Sequence, residues 1–137
     1  MRITNRIARD ERGASAIEFA LAAPILVAMI YGIFTLGQLF EADAGMQHGL
    51  GEGARYATLC LTPTATGVCT VPDDTQITNK VTSKLYGPAK NLTPDIQTDT
   101  TAKTKTITLT YTKTPFFLFF NGPTVTLTRS KVVYYTH

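Results

Sequence analysis

The sequence predicts an α+β fold: a long N-terminal transmembrane helix, then a short helix and a small antiparallel β-meander of about three strands. Three observations carry this expectation. Phe19 to Gly37 runs nineteen residues without a charge; Ile77, Val81 and Leu85 recur at helical spacing; and from about Asp95 onward threonine takes every second position of an alternating pattern. With 137 residues, the chain has room for one modest globular domain beside the long helix.

The uncharged stretch, at 1.5 Å per residue, reaches nearly across the hydrocarbon core of a bilayer, and the span is expected at about residues 17–40. Arg2, Arg6, Arg9 and Arg12 precede it and outweigh Asp10 and Glu11, whereas Glu41, Asp43 and Glu52 follow it before Arg55. Positive charge stays inside, so the amino end is expected in the cytoplasm and everything after about Phe40 in the periplasm or exterior. The rival is a secretory signal cleaved after Ala44, in the small-x-small triplet Ala42-Asp43-Ala44. Against it, a signal's apolar region is roughly 7–15 residues long; this stretch is longer, contains Pro24 and carries Glu18 at its edge.

Small residues recur at four-residue intervals, as Ala16, Ala20, Pro24, Ala28 and Gly32, and again as Gly45, Gly49, Gly53 and Ala57. Such ridges let helices approach closely in lipid, where exclusion from water no longer drives association. Pro24 removes one helix hydrogen bond and is expected to bend the span. Each interior glycine costs a helix about 1 kcal/mol relative to alanine. The Gly45–Gly53 segment is therefore either helix compensated by packing or a flexible neck. Arg55 suits the negative end of a helix.

Cys60 and Cys69 are the two cysteines, beyond the span on the side placed outside the cytoplasm. A disulfide is expected, closing a loop of about ten residues and contributing about 2.7 kcal/mol by chain-entropy reasoning. Two cysteines with His48 and His137 match no zinc spacing, so no metal is expected. Asp73 and Asp74 offer a helix N-cap, and Gly87-Pro88 ends that short helix. Strands follow at about Ile96–Thr100, from Lys103 to Thr114, and from Thr124 to the end. Alternation breaks around Arg129 to Lys131, which predicts a bulge. Between the last two strands, Phe116, Phe117, Leu118, Phe119 and Phe120 stand together, flanked by Pro115 and the turn signal Asn121-Gly122-Pro123. They either cap the sheet's core or form a patch that contacts another subunit or a membrane surface.

Composition excludes several classes of function. The net charge is +3, and the first 13 residues hold four arginines against two acids, leaving little net charge for the folded part. A nucleic-acid binder needs a basic stripe there, so no nucleic-acid partner is expected. The acids after Glu41 are scattered, and neither His48 nor His137 has a neighbouring nucleophile. The chain is not expected to be an enzyme: no catalytic residue, cofactor or small-molecule substrate is assigned.

Glu18 needs a reason, since a carboxylate at the edge of a span is costly unless hydrated at headgroup level or paired. It lies in Gly13-Ala14-Ser15-Ala16-Ile17-Glu18-Phe19. This spacing resembles the processing site of type IV-like prepilins, particularly the tight-adherence class. The stretch from Arg12 to Leu26, with Glu52-Gly53-Ala54-Arg55-Tyr56-Ala57 further on, is similar to the two best-marked segments of TadE-like minor pilins, or pseudopilins. The resemblance implies a type IV pilin-like architecture with a leader at 1–13, a long hydrophobic helix at 14–59 and a periplasmic α+β domain at 60–137. It implies that a prepilin peptidase cuts after Gly13, that Ala14 becomes the new amino terminus, and that Glu18 and Phe19 become the fifth and sixth residues. The new amine of one subunit would then meet the Glu18 carboxylate of its neighbour, neutralising two charges in an apolar filament core. Implied partners are other pilins, the inner-membrane pilus assembly machinery, the peptidase and the membrane itself. The implied location is the inner membrane, crossed once, with passage into an extracellular pilus. Major pilins of this class are much shorter and lack a sizeable domain, which sets this chain apart from them. The alternatives are a permanently membrane-anchored assembly factor and a secreted binding module released after Ala44.

Overall fold

The computed structural model describes residues 11–63, 69–117 and 120–135. The expected leader, apart from its last residues, therefore lies outside the described residues, as do Leu118, Phe119 and His137.

Helix α1 spans Glu11–Ala57, 47 residues, or about 70 Å at 1.5 Å per residue. It runs through Pro24 and through the glycine-rich stretch, so Gly45–Gly53 is helix and not a neck. The two halves of α1 meet different surroundings. In the first, Ile17, Phe19, Leu21 and Ile25 are all more than half exposed; in the second, Ala42, Met46, Leu50, Ala54 and Ala57 are buried. Those buried positions fall three or four residues apart, one stripe of the helix facing a core.

A disulfide joins Cys60 to Cys69. Beside it, β1 (Thr62–Pro63) pairs antiparallel with β2 (Cys69–Thr70), a small ladder the sequence did not announce. Helix α2 (Asp74–Lys84) opens with a capping box: Asp73 accepts the Gln76 N–H at 2.7 Å, and Gln76 Oε1 accepts the Asp73 N–H at 3.2 Å. Of the two aspartates expected at this cap, Asp73 takes it. Asp74 instead binds Lys105 Nζ at 2.6 Å across to the sheet. Ile77, Val81 and Leu85 are buried, as their spacing predicts. A 3-10 turn, Gly87–Ala89, follows. Gly87 has φ +59 and lies against the Glu41 side chain, a left-handed position where only glycine is comfortable.

The main sheet contains β3 (Asp95–Asp99), β4 (Thr104–Lys113) and β7 (Val125–Tyr134), in the order β3-β4-β7, all antiparallel. Between β3 and β4, the Asp99 carboxylate accepts the N–H groups of Thr101 and Ala102 at 2.8 and 2.9 Å, closing the turn. Ile107, Leu109 and Val133 project from the sheet into a core shared with Met46 and Leu50 of α1 and with Ile77, Val81 and Leu85.

The bulge expected at Arg129–Lys131 is absent: β4 and β7 pair residue for residue from Thr104↔Tyr134 to Lys113↔Val125. Arg129 and Lys131 stand opposite Leu109 and Ile107, so they occupy core-face positions without breaking the register. The break in hydrophobic alternation comes from Arg129 reaching α1, where it finds an acid. A one-residue slip does occur, but beyond the paired ends. There β5 (Phe116–Phe117) pairs with β6 (Phe120–Asn121) through Phe116↔Asn121 and Phe117↔Phe120. Two residues, Thr114 and Pro115, thus face three, Gly122 to Thr124. Both prolines of this joint lack the N–H a continuous ladder would need.

Candidate functional site

The features that stand out lie along α1, from its processing-like start to its contact with the domain. Gly13, Ala14, Glu18 and Phe19 are all helical and exposed. Phe19 is 71% exposed, and a β-carbon placed on Gly13 would meet nothing within 4 Å. Glu18 forms no ion pair among the described residues. The start of the helix therefore presents its carboxylate and its aromatic ring outward.

The two small-residue ridges have different fates. Gly45, Gly49 and Gly53 are covered by the chain's own domain: a β-carbon on Gly45 would lie 2.6 Å from the Tyr86 carbonyl oxygen, one on Gly49 2.6 Å from Leu85, and one on Gly53 against Val81. Ala57, the last member, is buried in the same core. The close approach that glycine permits is used here to seat α2 and the 3-10 turn on α1. In the first ridge, Ala16, Ala20 and Pro24 are exposed, and Ala28 and Gly32 are partly covered.

That cover is the phenylalanine-rich segment. The β4–β7 hairpin runs back along α1 toward its amino end, and three ties mark its path. Arg129 Nε donates to Asp43 Oδ1 at 2.6 Å; Lys113 Nζ donates to Gln38 Oε1; and Phe117 comes to 3.7 Å from the β-carbon position of Gly32. The Arg129 guanidinium, through its hydrogen bond, holds the Asp43 carboxyl below the usual carboxylate range. Below these ties, Phe117 and Phe120 stack with ring centroids 5.3 Å apart. With Pro24, Ile25, Ala28 and Met29 they line an apolar groove of about 480 Å³. Phe116 is 51% and Phe120 62% exposed. Of the two readings of this segment, capping of the sheet's core does not hold for Phe116, Phe117 and Phe120: none of them belongs to the core cluster, and Phe117 and Phe120 lie against the apolar half of α1.

The Asp43–Arg129 and Gln38–Lys113 ties were not read from the sequence. Their signal was present, since Lys113 and Arg129 both sit in phase with the apolar face of their strands, where a cation needs a partner on whatever packs there. Among the described residues, no group of histidine, cysteine or acidic side chains is placed to hold a metal. What the arrangement offers is surface: a long apolar helix for a membrane or for neighbouring helices, and a small disulfide-bonded domain folded onto its far half.

Helix α1 is long and apolar enough to cross a membrane. Residues 13–55, the greater part of α1, match the family model described as TadE-like protein. No curated protein and no solved structure matches the chain.

Proposed function

We propose that this chain is a TadE-like minor pilin, or pseudopilin, which takes part in assembling a tight-adherence pilus and does no chemistry of its own. The family points to a pilin-like protein of the Tad pilus system, anchored in a membrane and working with other pilus components. The finer reading is that a prepilin peptidase cuts between Gly13 and Ala14 in the inner membrane. The domain then faces the periplasm, and the freed helix packs among other pilins.

One observation carries this reading: the family match begins at Gly13 and follows α1 almost to its end, while the first turns of α1 leave Gly13, Glu18 and Phe19 uncovered by the domain. A peptidase needs access to the bond after Gly13. A pilin core needs an apolar rod whose single carboxylate can meet the new amine of a neighbour, because an unpaired charge in such a core is costly.

Mass spectrometry of the chain recovered from its own membrane tests this. Loss of residues 1–13 is expected; an intact amino terminus would favour a permanently anchored assembly factor, and loss of residues 1–44 a secreted module. Glu18→Ala should leave cleavage in place and abolish entry into pili, measured by sheared-filament recovery. Unchanged recovery would remove the Glu18 pairing.

A further inference from the structure

We propose that the β5–β6 arm is a second membrane-embedded element, inserted beside α1 into the bilayer leaflet nearer the domain. It requires α1 to lie in a bilayer and does not depend on the pilus role.

The placement follows from where the arm is fastened. Lys113, at the end of β4, meets Gln38, just past the uncharged stretch that ends at Gly37. The Thr114 and Thr124 hydroxyls, 2.9 Å apart, lie at the same joint, and Arg129 meets Asp43 further along α1. These groups form a polar belt where a long Lys stem and hydroxyls suit the headgroup region. Phe117 then contacts α1 at Gly32, six residues before Gln38, which is about 9 Å closer to the middle of the span at 1.5 Å per residue. If α1 spans, a segment that packs beside it at this depth is in the membrane too.

The chemistry of the arm agrees. Phe120 exposes more than half its surface and shares the groove with the exposed Ile25 and Met29 of α1, and Phe116, on the other face of β5 from Phe117, is also more than half exposed. A soluble domain would hold such a patch in water at a cost; lipid covers it with no partner needed. Thr35, the buried polar side chain of this half of α1, is satisfied within the helix by the Tyr31 carbonyl at 2.9 Å, so nothing here calls for water.

Backbone polarity is the cost of this placement, and it is partly offset. A two-stranded arm has unpaired outer N–H and C=O groups, which hydrocarbon penalises. Pro115 and Pro123 remove two such N–H groups, and the Gly122 N–H is satisfied by the Pro115 carbonyl at 2.7 Å. The arm itself runs below the belt, since Phe117 reaches Gly32 and Phe120 lines the groove with Ile25 and Met29.

The chain has no tryptophan, so a single introduced indole reports its own surroundings. The full chain is reconstituted in phosphatidylcholine–phosphatidylglycerol vesicles as Phe120→Trp, with Phe116→Trp as a second arm reporter, Phe34→Trp on α1 and Tyr134→Trp at the far end of β7. Both arm reporters should show blue-shifted emission, lose most of their intensity to lipids brominated high on the acyl chain and resist aqueous iodide. Tyr134→Trp should behave in the opposite way. If Phe34→Trp is quenched by bromolipid while both arm reporters are quenched by iodide, the proposal is overturned and the span stands. Arm reporters shielded from both quenchers would overturn it in favour of a protein cover, a second copy included. Failure of Phe34→Trp to meet lipid would overturn the span and the arm together.

Discussion

Asp43 on α1 and Arg129 on β7, 86 positions apart, form a two-point contact, Nε to Oδ1 at 2.6 Å and Nη2 to Oδ2 at 3.2 Å. The pair fixes the last strand to the long helix at the level where α1 passes from its apolar half into the domain. A planar guanidinium meeting both carboxylate oxygens sets orientation as well as distance.

Acid should loosen this contact. The Asp43 carboxyl is held below its ordinary range by the Arg129 hydrogen bond, so its folded value lies below its unfolded one. The pair's contribution is then fully present above the unfolded value, about 4 for aspartate, and is lost as pH falls through the folded value. Asp43→Asn should lower stability slightly at pH 7 and flatten the fall in stability below about pH 4. Acid titration followed by near-ultraviolet circular dichroism in detergent checks this. An unchanged acid limb in the variant would mean other carboxylates govern it.

Two glycines six residues apart on α1 should respond to alanine with opposite signs. A β-carbon on Gly45 would press to 2.6 Å on the backbone oxygen of Tyr86, which cannot swing away, whereas one on Gly51 meets nothing within 4 Å. Gly45→Ala should cost about 1–3 kcal/mol through overpacking. Gly51→Ala should gain about 0.5–1 kcal/mol from helix propensity. Denaturant unfolding of the domain signal reads both, and a gain at Gly45 would mean that α1 and the 3-10 turn do not pack this closely.

Cys60 and Cys69 are joined just past the end of α1, beside the short β1–β2 ladder. Replacing both with serine should cost about 2.7 kcal/mol if restriction of the unfolded chain is the main effect. Limited proteolysis should then cut between residues 60 and 69 sooner than in the parent. Equal cutting rates with and without the disulfide would show that the ladder alone holds the segment.

Much of this architecture was legible in the sequence because each part carries one dominant period. The uncharged run gave α1, the spacing of Ile77, Val81 and Leu85 gave α2, and threonine alternation gave β4 and β7. What escaped notice depended on contacts between distant positions. Gly45, Gly49 and Gly53 read as a ridge waiting for a partner or as a neck, and only the packed structure shows α2 and Tyr86 against them. Arg129 read as a broken pattern because its acid lies on another element. The phenylalanine cluster pointed to apolar surroundings, but its position beside Gly32 follows from the direction of the β4–β7 hairpin, which no local pattern encodes.

The uninterrupted register of β4 and β7 makes one more claim that substitution can check. With Thr106 opposite Val132 and Lys105 opposite Val133, the neighbouring valines face opposite sides of the sheet: Val133 is buried and Val132 is 50% exposed. A bulge at Arg129–Lys131 would exchange their faces, since a one-residue slip turns every later side chain over. Val132→Thr should therefore change stability by no more than about 0.5 kcal/mol, as at an ordinary surface position. Ile107→Ala, in the core on the same face as Val133, should cost about 2–5 kcal/mol. Val133→Thr places a hydroxyl in that core and should cost about 1–3 kcal/mol. Thermal unfolding of the three variants separates the two arrangements: a larger loss at Val132 than at Val133 would put the slip back inside β7.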